Sequence, residues 1–358
     1  MQLSVNISLK FLTASKKKAV ANLRTEYCRI VNLYLVRLPK GRGSFDAKTQ
    51  SLVSPTETRL SANLRGSAFK KALSIHNTPR KLSKKTKSHK TSKYNGPVDL
   101  TELTCTVVQT TSLKEFDLLI KVSYLKKGKR LALPCKKHAH LNKLLAEPGA
   151  VLSSSASLYS DRITLFVDVV DKETKSTGDV LGIDLGKNKL LSLSSGKFLG
   201  NIVSPLCDAV KTSKKGSKSN LQARKHRDQY IRESVNQLPW KSLQTIVLED
   251  LRGIKQGKQQ NRGKAFRKAM APWTVRQAIN WIEYKAQRNG VRVVFVDPAN
   301  TSRCCPACGT VSKDNRQGEK FACISCGHSA DADYVGACNI LAKHLGTFGQ
   351  SMVAQAQK

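Results

Sequence analysis

Cys305-Pro306-Ala307-Cys308, then Cys323-Ile324-Ser325-Cys326, then Ala330-Asp331-Ala332-Asp333: these three stretches decide how the rest of the chain is read. Each C-x-x-C sets two thiols on one tight knuckle. Two knuckles joined by the short segment 309–322 can complete a tetrahedral four-sulfur shell around Zn²⁺ without help from elsewhere. A closed shell of that kind is structural. The acids that follow are a different matter, because carboxylates crowded beside a basic, metal-stapled ribbon suggest a hard-metal site acting on phosphate.

The chain has 358 residues, enough for two or three domains. It carries 62 Lys and Arg against 25 Asp and Glu, a formal charge of +37. Solubility requires far less than that, so the expected partner is a polyanion. Anionic membrane and nucleic acid both meet the demand, but no apolar run of about 18 residues is present. The opening Met1 to Lys10 alternates like a strand instead of reading as a signal peptide. Nucleic acid is the better reading, with no membrane partner. Ten cysteines in a chain this long do not make a disulfide scaffold, which points to the cytosol. Cys28, Cys105, Cys135, Cys207 and Cys338 read as small buried hydrophobes. Cys304 could replace Cys305 as ligand, although the regular C-P-x-C-G form favours Cys305.

Residues 2–12 alternate with a period of two and predict a half-buried strand. A helix follows, capped by Ser15, with Val20, Leu23, Tyr27, Ile30, Val31 and Tyr34 on one face until Pro39 and the glycines around Arg42 stop it. Residues 41–58 read as a loop and 59–76 as a second helix. Strand character dominates 100–170, where several short segments suggest a small β-barrel that the opening strand joins. From Gly178 the pattern becomes a hairpin (180–184 and 190–193), a basic helix over 220–238, and buried strands at 245–250 and 291–297. A helix carrying Val275, Ile279, Ile282 and Ala286 separates those two strands. That order predicts an α/β domain with a mixed sheet.

Five acidic positions punctuate this domain. Asp184 ends the first apolar strand, where open α/β sheets place reactive groups. Glu249 and Asp250 close the next; a two-residue period puts them on opposite faces, so only one can meet Asp184. Asp331 and Asp333 begin the terminal helix, and at about 100° per residue only one of them can join. Three carboxylates so gathered can hold two Mg²⁺ or Mn²⁺ ions roughly 4 Å apart for phosphodiester hydrolysis.

Taken in order, Gly182-Ile183-Asp184-Leu185-Gly186, Ile246-Val247-Leu248-Glu249-Asp250-Leu251, Val296-Asp297-Pro298-Ala299-Asn300-Thr301-Ser302, the Cys305 to Cys326 ribbon, and Ala332-Asp333-Tyr334-Val335-Gly336-Ala337-Cys338-Asn339-Ile340 resemble the split RuvC motifs and zinc ribbon of TnpB. That family comprises transposon-encoded RNA-guided nucleases related to the type V CRISPR effectors. The likeness covers roughly residues 178–345. It implies Asp184, Glu249 and Asp333 as the catalytic, Mg²⁺-binding set, with Cys305, Cys308, Cys323 and Cys326 on structural zinc. It also implies a multidomain α/β architecture: a wedge β-barrel over 1–12 and 97–175, carrying an inserted helical recognition domain over 13–96. An RNase H-like (RuvC) nuclease domain spans 176–300 and 329–350, interrupted by the zinc ribbon at 301–328, and 351–358 is a tail. The family's third motif carries Asn two positions after the acid and then paired alanines, where Val335 and Gly336-Ala337 stand here.

The implied function is RNA-guided DNA endonuclease activity at a single site, beside a short target-adjacent motif, in a prokaryotic cytoplasm at the nucleoid. Guide RNA and target DNA are the partners, and no oligomeric state follows. Base pairing would carry specificity while basic side chains hold backbones. Candidate contacts are Lys84, Lys85, Lys87 and Lys90 in the basic stretch 79–93, then Lys211, Lys214, Lys215, Lys218, Arg224, Lys225 and Arg227. A further set, Lys255, Lys258, Arg262, Lys264, Arg267 and Lys268, lies in a Gly/Gln-rich segment fit for a lid. Trp273, Trp281 and Tyr284 are candidates for base stacking or core packing. The competing readings are a guided repressor that binds without cutting and an unguided structure-selective nuclease.

Overall fold

The computed structural model describes residues 1–39, 46–78, 93–110, 115–126, 128–251 and 275–350. The chain divides into two compact units, Met1–Val170 and Asp171–Lys358. In the first, β1 (Gln2–Ser8) turns Leu3, Val5 and Ile7 inward and its polar residues outward, as its alternation requires. Helix α1 (Ala14–Arg37) follows, and its cap is Thr13, not Ser15. The backbone is still extended at Thr13, whose hydroxyl accepts from the Lys16 amide, while Ser15 already lies in the first turn. The helix stops because Leu38, the residue before Pro39, is held extended. The expected loop contains short helical turns at Ala47–Gln50 and Pro55–Glu57, and α2 (Ala62–Asn77) packs on α1. Tyr27 and Tyr34 are fully buried between them, with their hydroxyls satisfied by Ser67 and the Gln50 carbonyl.

The strands of this unit are β2 (Val98–Leu100), β3 (Cys105–Gln109), β4 (Leu118–Ser123) and β5 (Arg130–Cys135), then, after α3 (Ala139–Leu145), β6 (Val151–Leu158) and β7 (Arg162–Asp168). Among the described residues their hydrogen bonds form two antiparallel sheets, β1-β7-β6-β2 and β3-β4-β5, in place of one continuous barrel sheet. β1 pairs with β7 along its whole length, so the helical segment interrupts the first sheet in sequence.

The second unit is built on β8 (Asp179–Asp184), β9 (Leu191–Leu193), β10 (Phe198–Leu199), β11 (Leu243–Glu249) and β12 (Arg292–Val296), in the order β10-β9-β8-β11-β12. β8, β11 and β12 run parallel; β9 pairs antiparallel with β8, and β10 antiparallel with β9, which makes the sheet mixed. Helices α4 (Val203–Thr212), α5 (Lys218–Asn236) and α6 (Val275–Asn289) supply one side of the core with Leu181, Ile183, Ile246 and Leu248. The pleat therefore turns Gly182, Asp184, Val247 and Glu249 to the opposite face. A small ribbon of β13 (Arg316–Gln317), β14 (Lys320–Ala322) and β15 (Ser329–Asp331) precedes the last helix, α7 (Ala332–Leu345). α7 covers that opposite face at very close range. A Cβ on Gly182 would stand 2.4 Å from the Ala337 carbonyl and 2.9 Å from the Leu341 amide, so only glycine lets the helix lie there.

Candidate functional site

The ribbon brings the four predicted thiols together. The sulfurs of Cys305, Cys308, Cys323 and Cys326 all lie within 4.8 Å of one another, and no other group of three or more ligating side chains gathers so closely among the described residues. A tetrahedral shell with metal–sulfur bonds of ~2.3 Å needs sulfurs ~3.8 Å apart. The Cys305–Cys326 and Cys308–Cys323 pairs stand at 3.7 and 3.5 Å, far beyond disulfide distance, so the donor set fits zinc. Both knuckles close identically: the Gly309 and Gly327 amides return to the Cys305 and Cys323 carbonyls, each glycine with positive φ. Hydrogen bonding with the side chain and backbone of Thr310 holds the Cys308 thiol down at about 6, while burial pushes Cys305 up to about 12. Cys304 is outside the cluster; its buried thiol turns to the Cys305 and Gly309 carbonyls instead.

The acids converge through strand register. Val247 lies opposite Gly182 and Leu248 opposite Ile183, so one further step sets Glu249 beside Asp184 on the face toward α7. Asp333 enters from the first turn of that helix. These three carboxylates line one open cleft of about 520 Å³ together with Lys187, Thr301, Arg316 and Glu319; Asp250 and Asp331 are not among its walls. One glycine makes room for an acid: a Cβ on Gly336 would stand 2.8 Å from Asp184 Oδ2, whereas a Cβ on Gly186 would meet the Lys189 carbonyl at 2.5 Å and leave Asp333 at ordinary contact distance.

The electrostatics of the cleft favour a cation. Burial, and then the neighbouring Glu249 and Asp333 charges, raise Asp184 from its ordinary 3.8 to about 7. Burial also raises Glu249, against a hydrogen bond from Thr301 and the charges of Lys343 and Arg316. Asp333 is 8% exposed and receives Arg316 Nη2 at 3.0 Å. The cleft walls set four carboxylates, Asp184, Glu249, Glu319 and Asp333, against two cations, Lys187 and Arg316. Hard oxygen donors of this kind fit Mg²⁺ or Mn²⁺.

Asp331 supports the site without entering it. Its Oδ1 caps α7 by accepting from the amides of Asp333 and Tyr334, while its Oδ2 pairs with Lys189 from the loop after β8. One carboxylate thereby ties the backbone that carries Asp333 to the loop that leaves Asp184. Asn188 reaches Glu319 alongside, and Asn339 fixes α7 to the Thr301 and Cys304 carbonyls at 2.7 and 2.8 Å. Arg316, Thr301 and Lys189 were not legible as site residues: Arg316 and Lys189 are two cations among 62, and the Thr301-Ser302 motif names no role.

Those predicted nucleic-acid contacts that lie among the described residues are not in the walls of the acidic cleft. Lys214, Lys215, Lys218 and Arg224 are exposed at the α4–α5 turn and along α5, and none lines the cleft. Arg227 is buried and bonded to Asp228 at 2.7 Å, which withdraws it from the surface. Lys84, Lys85, Lys87, Lys90, Arg262, Arg267, the rest of the lid segment and Trp273 lie outside the described residues. Trp281 and Tyr284 form an edge-on pair at 5.3 Å, with Trp281 packed on the core and Arg232 over its ring. Among the described residues no helix is long and apolar enough to cross a membrane.

The family described as Cas12f1-like, TNB domain, matches residues 276–340. Over 97 residues the chain is 38% identical to the CRISPR-associated endodeoxyribonuclease Cas12f1 of Sulfoacidibacillus thermotolerans, covering 27% of this chain and 21% of that protein. Over 98 residues it is 34% identical to the TnpB-like protein MJ0751 of Methanocaldococcus jannaschii, covering 27% of this chain and 34% of the relative. The chain thus spans about a fifth and a third of these curated relatives. Its structure resembles the protein in a cryo-EM structure of a Cas12f1–sgRNA–target DNA complex, with a TM-score of 0.57 and 15% identity over 95% of this chain and 98% of that one, a likeness of fold.

Proposed function

We propose that the chain is of the TnpB/Cas12f type and is an RNA-guided DNA endonuclease that cuts at one site formed by Asp184, Glu249 and Asp333. The observation that carries this reading is the arrival of these three carboxylates, from two parallel strands and a helix start, in one cleft short of positive charge. Two divalent cations held there would supply Lewis acidity and a hydroxide at neutral pH. The chain's own residues do the rest. Thr301 fixes the rotamer of Glu249, Gly336 leaves Asp184 its space, and Asp331 with Lys189 fixes the start of α7. Arg316 brings a guanidinium to the cleft, suited to an anionic phosphate. The four-cysteine ribbon, loaded with zinc, would hold Arg316 and Asp333 as one rigid piece.

In the same reading, 1–12 and 97–175 form the wedge, 13–96 the recognition insertion, 176–300 and 329–350 the RuvC-like domain, and 301–328 the zinc ribbon. Guide RNA and target DNA are the partners, in a prokaryotic cytoplasm, and a target-adjacent motif is read on the duplex. The relative named an endodeoxyribonuclease and the neighbour solved with sgRNA and target DNA support this assignment. The test is purification of the full chain, sequencing of any RNA that co-purifies, and cleavage of DNA matching that RNA with and without Mg²⁺. Guide-matched, metal-dependent cutting is expected. Cutting that ignores the guide favours the structure-selective nuclease, and guided binding without cutting favours the repressor.

A further inference from the structure

One cluster in the first unit has no part in the chemistry above. Phe11 follows β1 in a turn closed by the Leu12 amide on the Leu9 carbonyl, and its ring is 43% exposed. Phe116, half-buried before β4, meets it edge-on with centroids 6.1 Å apart. Lys10 Nζ lies 4.8 Å from the Phe11 centroid. Lys136 Nζ, just after β5, lies 5.1 Å from the same centroid and 5.8 Å from that of Phe116. Among the described residues neither ammonium pairs with a carboxylate. A lone exposed Phe needs no explanation. Two rings in contact with two unpaired cations gathered over them do.

The cluster is rigidly founded. Asp117 Oδ1 accepts from the Lys137 amide at 2.6 Å, which fixes the chain beside Lys136. His138 Nδ1 accepts from the Leu141 amide, so its Nε2 carries the proton and donates to the Asn6 carbonyl of β1 at 3.2 Å. On the other side the Leu9 amide donates to the Asp161 carbonyl at 2.8 Å. The end of β1, the start of β4 and the end of β5 are thus fastened to one another, and the rings are held in place before any ligand arrives.

We propose that Phe11, propped by Phe116, is a stacking platform for one unpaired base of a nucleic-acid strand, with Lys10 and Lys136 taking the flanking phosphates. An ammonium over an exposed ring contributes about 0.5–1 kcal/mol, whereas a base stacked on such a ring contributes about 1–3 kcal/mol. An arriving base therefore displaces the ammoniums, and each then finds a phosphate in exchange. Duplex bases have no free face to offer, so the platform selects single-stranded or flipped-out nucleotides. The proposal rests on the nucleic-acid partner in the reading above and not on its acids.

The test uses the full chain carrying Asp184→Ala, so that cleavage plays no part. Single-stranded RNA and DNA oligonucleotides, each with one 4-thio-pyrimidine, are photo-cross-linked and the adducts mapped by mass spectrometry. An adduct at Phe11 is expected with single strands and not with duplex. Phe11→Leu should cut its yield about tenfold, and Phe11→Tyr, which keeps a ring, should restore it. Lys10→Gln and Lys136→Gln should each lower the salt dependence of that adduct by about one unit of slope. Comparing the RNA and DNA arms tells which strand is held. Adducts elsewhere but none at Phe11, or a Phe11→Leu yield equal to wild type, overturn the platform alone. No cross-linking to any nucleic acid would count against the proposed function itself.

Discussion

Asp331 offers a sharp test of how the site is assembled, because its two carboxylate oxygens do separable jobs. Asp331→Ala removes the α7 cap, worth about 1 kcal/mol. It also removes the Lys189 pair, worth about 0.2–1 kcal/mol with side chains 30% and 21% exposed. The sum is about 1–2 kcal/mol, which for a unit of this size lowers Tm by roughly 3–6 °C. Function should suffer more than stability. Asp333 donates its own amide to Asp331, so losing the cap frees the backbone that aims it, and a displacement of ~1 Å at a reacting centre costs about 100-fold. Asp331→Asn keeps an oxygen for the cap and loses only the charge, as Lys189→Met does from the other side. Calorimetry and guided cleavage across a Mg²⁺ titration should rank Asp331→Ala far below Asp331→Asn, with Asn and Lys189→Met alike within a few-fold. Equal damage from Ala and Asn, or an undamaged Ala variant, would refute the division of labour.

Gly182→Ala puts a methyl 2.4 Å from a helix carbonyl, so α7 must retreat by several tenths of an ångström; a stability loss of about 1–3 kcal/mol by denaturant unfolding is expected, with loss of cleavage. Glu26 is held down from 4.5 to about 2, first by its Arg29 hydrogen bonds and then by the Arg59 amide and Thr58 hydroxyl, against burial. Because its folded value lies below its unfolded one, the stabilisation is whole above about pH 4.5 and lost between there and about 2. Glu26→Gln should therefore cost about 1–2 kcal/mol at pH 7, and the gap to wild type should close as melts are run toward pH 2. Stripping metal should release one zinc per chain in a colorimetric thiol-displacement assay, and Cys308→Ser should release none and open the ribbon to proteolysis.

Much of this was readable from local pattern. The Cys305 to Cys326 spacing dictates its own closure, and the order of strands and helices from Gly178 dictates a mixed sheet, since each depends on residues near in sequence. The pleat allowed only one of Glu249 and Asp250, and the helical angle only one of Asp331 and Asp333. The register between β8 and β11 shows why Glu249 faces Asp184, and the cap geometry shows what Asp331 does instead. Features that depend on distant partners were not readable. Arg316 reaches Asp333 across a ribbon, Thr301 meets Glu249 from another strand's exit, and Phe11 meets Phe116 only after two sheets form. Ser15 was a fair cap by residue type, but the backbone turns helical one residue before it, leaving Thr13 the role.

Everything turns on whether three carboxylates in one cleft cut DNA. Asp184→Ala protein, purified with its RNA and mixed with guide-matched DNA and Mg²⁺, should bind the target as wild type does while cleavage falls below detection. Normal metal-dependent cutting by that variant would contradict the account.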